Sequence, residues 1–134
     1  MTQINAYLHF NGRCREALMF YKECLGGELV LQKIGESPMA AQLPSEMSNH
    51  ILHGSLTKDG ILLMGSDIRV NGLVPGNNVT LCLNCTYDEI TKYFEKLSAD
   101  GEVKTPLHQT FWGATYGELT DKFGMHWMLN CSRI

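Results

Sequence analysis

The chain has 134 residues, 44% of them apolar and 19% charged, with a net charge of −3 at neutral pH. That length allows one domain, or two small modules, around a real core. It offers no basic stripe for nucleic acid and no run of about 18 apolar residues to span a membrane. Five cysteines, an odd number in a chain that needs no staples, fit free thiols in a reducing, cytoplasmic setting. The amino terminus enters a strand pattern directly, without a basic and apolar leader.

In chain order, Ile4 to Phe10 alternate as a strand. A helical period follows, with Cys14, Ala17, Leu18, Tyr21 and Leu25 on one face, Asn11 as its N-cap and Gly26-Gly27 closing it. Glu28 to Ile34 reads as a second strand, and Gly35 to Ser48 as a loop that could lie over a cavity. His50 to Thr57 and Ile61 to Gly65 form a hairpin around Lys58-Asp59-Gly60. Asp67 to Asn77, rich in glycine, reads as a linker.

The pattern then begins again. Val79 to Asn84 is a strand, Thr86-Tyr-Asp-Glu89 is a capping box, and Ile90, Tyr93, Phe94 and Leu97 form a buried helix face ended by Asp100-Gly101. A further strand leads to a closing hairpin. There Ala114, Tyr116, Glu118 and Thr120 share one face, and Met125, Trp127 and Leu129 share a face of the next strand. The turn between them is Asp121-Lys122-Phe123-Gly124. The two halves superimpose at an offset of 73, Leu8 on Leu81 and Phe20-Tyr21 on Tyr93-Phe94. Each half therefore reads strand–helix–strand–strand–strand, with the first module over residues 1–70 and the second over 78–134. Neither module alone covers both faces of its sheet, so the economical arrangement is one domain.

The stretch Phe111-Trp-Gly, Tyr116-Gly, Leu119-Thr-Asp-x-Phe-Gly124, x-His126-Trp-Met-x-Asn130 closely resembles the signature of the PhnB-like branch of the vicinal-oxygen-chelate (glyoxalase/bleomycin-resistance) superfamily. The resemblance covers essentially the whole chain. It implies an α+β fold of two tandem βαβββ modules whose curled mixed sheets enclose a central cavity, and a homodimer. In glyoxalase-type relatives, four inward His and Glu residues hold a divalent metal, leaving positions open for substrate oxygens. Carried onto this chain, those positions fall on Ala6, within Leu62 to Met64, on Val79 and on Met128. None ligates a hard cation, and Met128 is a soft thioether. The resemblance read this way implies no metal and no cofactor.

Other residues form the candidate ligand-binding set. His126 and Met128 share a strand face; His126 is either a histidine hydrogen-bonded in its strand or the candidate general acid or base, since an ordinary imidazole titrates near pH 6.5. Phe111, Trp112 and Tyr116 would line an aromatic pocket, with Phe10 and Leu8 opposite. His53 and Asp67 match the family pattern in and after the first hairpin, and Met64 stands at the second mapped position. Asp67 would either cap a turn or reach the cavity mouth. His50 and His53, three apart on a strand, face opposite sides. His9 reads as a satisfied core histidine, Cys14 and Cys24 as core thiols, and Cys82-x-x-Cys85 as a strand end rather than a metal knuckle.

The expected function is a metal-free, homodimeric small-molecule-binding protein. The alternative is a metal-dependent lyase, isomerase or dioxygenase with a shifted ligand set such as His126, His53 and Asp67, or His108. The branch is often labelled 3-demethylubiquinone-9 3-methyltransferase-like, but no glycine-rich strand–turn–helix suited to a nucleotide-like cofactor is present.

Overall fold

A computed structural model describes residues 2–68 and 72–132. The chain divides into two compact units, Met1–Val74 and Pro75–Ile134. Each is a four-stranded mixed sheet with one helix, so the architecture is α+β with two tandem βαβββ modules.

The first unit comprises β1 (Ala6–His9), α1 (Cys14–Leu25), β2 (Glu28–Lys33), β3 (Ile51–Lys58) and β4 (Ile61–Ser66). Its sheet order is β1-β4-β3-β2, with β1 parallel to β4 and the other pairs antiparallel. The stretch expected to be a plain loop contains three short 3-10 turns, Ile34–Glu36, Pro38–Gln42 and Ser45–Met47. The second unit repeats the plan with β5 (Leu81–Asn84), α2 (Tyr87–Ser98), β6 (Glu102–Gln109), β7 (Ala114–Thr120) and β8 (His126–Ser132), in the order β5-β8-β7-β6.

One face of each sheet is covered by its helix. In the first unit an added Cβ at Gly54 would stand 2.6 Å from Leu18, and one at Gly65 would stand 3.1 Å from the Cys14 sulfur. Gly54 and Gly65 are register partners, and so are Leu56 and Leu63 two residues away. These four positions therefore look at α1, whose Cys14, Ala17, Leu18, Tyr21 and Leu25 are all buried. In the second unit a Cβ at Gly117 would come within 2.7 Å of Phe94, which puts Gly117, Leu119, Trp127 and Leu129 under α2.

Two expectations about the helix ends come out differently. Thr86 and Glu89 do cap α2, the Glu89 carboxylate accepting from the Thr86 amide at 3.2 Å and its hydroxyl at 2.9 Å. The Asn11 cap of α1 is a correction: the helix starts at Cys14, and the residue before it, Arg13, makes no side-chain cap. The cap comes instead from Asp67, whose Oδ1 accepts from the amides of Gly12 at 2.9 Å and Cys14 at 3.0 Å. Its Oδ2 accepts from the Ile51 amide at 2.9 Å. Asp67 is only 1% exposed, so it belongs to the core of the first unit and not to a linker or a cavity mouth. The reason is economy of donors: the buried amides of Cys14 and Ile51 need an acceptor, and one carboxylate serves both and Gly12 besides.

Candidate functional site

The faces turned away from the helices are where a ligand could be met, and strand register decides what stands there. Ala6 pairs with Leu63 and Leu8 with Gly65, so both look towards α1. Phe10 is buried as well. The mapping of a metal position onto Ala6 thus slips by one residue, and one residue in a strand exchanges faces. Leu8 and Phe10 likewise belong to the helix side and line no aromatic pocket.

The odd residues Tyr7 and His9 occupy the helix-free face, beside Met64, the register partner of Tyr7. His53 joins them, its Nδ1 3.2 Å from the Tyr7 hydroxyl, with ring centres 5.7 Å apart. The Tyr7 and His9 rings are 5.3 Å apart. His53 and Met64 are therefore brought together with a tyrosine that sequence reasoning missed. The signal was available, since alternation with Leu8 puts Tyr7 opposite the core.

The second unit shows a grid of three rows across β5, β8 and β7. Cys82, Met128 and Glu118 are successive register partners, as are Asn84, Asn130 and Tyr116, and Thr120 pairs with His126. Tyr116 and Met128 from the candidate set are thus neighbours on one face. Burial, followed by the Glu118 carboxylate two residues along the strand, pushes the Tyr116 pKa up to about 12. A phenol held so firmly is no base near neutral pH. His108 stands edge-on to Tyr116 with ring centres 6.1 Å apart, and the Asn130 amide donates to Asn84 Oδ1 at 3.2 Å.

His126 is hydrogen-bonded through both ring nitrogens. Its Nε2 lies 2.9 Å from the Gly76 carbonyl, which can only accept. Its Nδ1 lies 3.0 Å from the Thr120 hydroxyl. In the neutral ring Nε2 carries the proton, and Nδ1 accepts from Thr120. Both nitrogens are engaged, and the ring ties the segment before β5 to the sheet. Phe111 and Trp112 sit at the turn between β6 and β7, 97% and 64% exposed, with ring centres 4.8 Å apart. The turn is closed by the Thr110 amide and hydroxyl, both bonded to the Ala114 carbonyl, at 2.7 and 3.2 Å.

The positions onto which the metal ligands map carry no imidazole or carboxylate. Val79 precedes β5, Met128 is a thioether, and Asp67 is taken by amides. Among the described residues no three His, Cys, Asp or Glu side chains gather as a metal would require. The Cys85 thiol, next to the Cys82 strand end, is pushed up to about 11 by burial and then by Cys131, Glu89 and Cys82. It is an inert thiol.

The family model of the glyoxalase/bleomycin resistance protein/dioxygenase superfamily matches residues 3–129. The chain belongs to that superfamily. It is 34% identical to protein YjdN of Escherichia coli (strain K12) over 95% of this chain and 93% of the relative. The crystal structure of protein PA1353 from Pseudomonas aeruginosa superimposes with a TM-score of 0.88 at 35% identity, covering all of both chains. The PhnB protein of Bacillus cereus, provisionally named a 3-demethylubiquinone-9 3-methyltransferase, gives 0.77 at 26% identity over 97% of this chain and 99% of that one. The PhnB-like resemblance of the closing hairpin and the fold of this superfamily member therefore agree. No helix among the described residues is long and apolar enough to cross a membrane.

Proposed function

We propose that this superfamily member is a metal-free, homodimeric protein that binds a small, partly apolar molecule on the helix-free faces of its sheets. The observation that carries the reading is the grid on β5, β8 and β7. It sets a thioether, a phenol, a carboxylate and two amides on one surface without the ligand set of a metal. Tyr7, His53 and Met64 supply a similar mixture in the first unit. Metal analysis of untagged protein, followed by titration with nickel, zinc and manganese, should find no stoichiometric ion. One tightly held metal per chain would overturn the reading and direct the work to lyase and dioxygenase assays.

The exposed Phe111–Trp112 pair supports the dimer, since adjacent large rings at a turn are area that a second copy would cover. Sedimentation equilibrium should give twice the chain mass. Trp112→Ala should weaken the dimer roughly tenfold or more, as truncated interface tryptophans do. A single-chain mass at every concentration would remove the dimer from the proposal.

A further inference from the structure

Charge is sparse on the inner strands of the second unit's helix-free face. β5, β7 and β8 carry no lysine or arginine, and their one acidic side chain is Glu118, on an inner strand between Met128 and Thr105. On the edge strand β6, Lys104 is paired with Glu102 at 3.1 Å. The first unit follows the same rule. β1 and β4 have no lysine or arginine, and Lys58 of β3 donates to the Leu25 carbonyl at the end of α1.

An anionic ligand group on the grid would lose water and face a carboxylate, while the lysine of the edge strand is already paired with Glu102. A cationic group would meet that carboxylate, the Met128 sulfur and the Tyr116 ring, all favourable to positive charge. Glu118 stands two residues from Tyr116 on the same face of β7, and a carboxylate has room for several donors. Strands lie about 4.8 Å apart, so the row from Cys82 through Met128 to Glu118 spans roughly 10 Å, the reach of a one-ring amine.

We propose that the ligand of this face carries a cationic nitrogen, an amine or quaternary ammonium, seated against Glu118 beside Met128 and Tyr116. This rests on the reading that the face binds a small molecule. The test uses the full chain with methyl-labelled methionine, titrated by NMR with benzyltrimethylammonium, benzyl alcohol and phenylphosphonate. The cation should move the Met128 methyl and the β7 and β8 amides, and bind about tenfold tighter than the alcohol. The phosphonate should leave them in place. Glu118→Gln keeps the side chain's size and removes its charge, and should lower the cation's affinity to that of the alcohol. A phosphonate that binds as well as the cation overturns the proposal, as does an unchanged affinity in E118Q. Alcohol and cation binding equally well would sink the charge preference and leave the small-molecule site standing. No response to any of the three at tens of millimolar would sink both.

Discussion

Replacing Asp67 with alanine should destabilise the first unit by about 3–5 kcal/mol, the range for removing one partner from a buried charged network. For a chain of this size that corresponds to a fall in Tm on the order of 10 °C. The carboxylate accepts from Gly12, Cys14 and Ile51, joining the start of α1, the start of β3 and the end of β4. Without it three amides lose their acceptor, two of them in the core, and the positive end of α1 loses its counter-charge. Asp67→Asn preserves the shape but turns one acceptor into a donor, so it should fall between wild type and alanine. Urea unfolding followed by circular dichroism reads both. A loss below about 1 kcal/mol for the alanine variant would mean that water replaces the carboxylate and that the site is less enclosed than its burial implies.

Asp121→Ala should cost about 2–4 kcal/mol in the second unit, from the same kind of loss at the closing hairpin. Asp121 is buried, and its Oδ1 accepts from the amides of Phe123 at 2.8 Å and Met125 at 3.0 Å. Its Oδ2 accepts from the Trp127 indole at 2.8 Å. Trp127 emission provides a local readout, best taken in a Trp112→Phe background so that the exposed indole is silent. The expected result is a shift to the red together with the loss of stability. A cycle with Trp127→Phe separates the contributions. If Asp121→Asn costs as much in the Trp127→Phe background as in its absence, the indole bond has no part in holding the turn.

The helices and turns were legible because their determinants are local. The faces Cys14, Ala17, Leu18, Tyr21, Leu25 and Ile90, Tyr93, Phe94, Leu97 follow from a period, and every one of these residues is buried. The repeat was equally plain: α1 from Cys14 and α2 from Tyr87 keep the offset of 73 seen in the sequence. The site was harder to read for a physical reason. β1 is four residues long, too short for alternation to fix its phase independently, and a match through the following helix moved Ala6 onto the wrong face. That Asp67 caps α1 and not a local turn was illegible because its partners lie far along the chain, 53 and 55 residues back for the two it caps. Glu118 was assigned to the right face beside Tyr116, but its standing as the one acidic side chain of β5, β7 and β8 depends on which strands become its neighbours.

The parallel pairing of β1 with β4, and of β5 with β8, has a consequence for the order in which the chain is made. Each unit's opening strand leans on its closing one, so it stays unpaired until nearly the whole unit has been synthesised. Contacts so distant along the chain must overcome loop-closure entropy before they return anything. In the first unit Asp67 leaves the ribosome directly after β4. The strand that completes the sheet and the carboxylate that tethers the helix therefore arrive together, as a latch at the end of the sentence rather than a seed at its start.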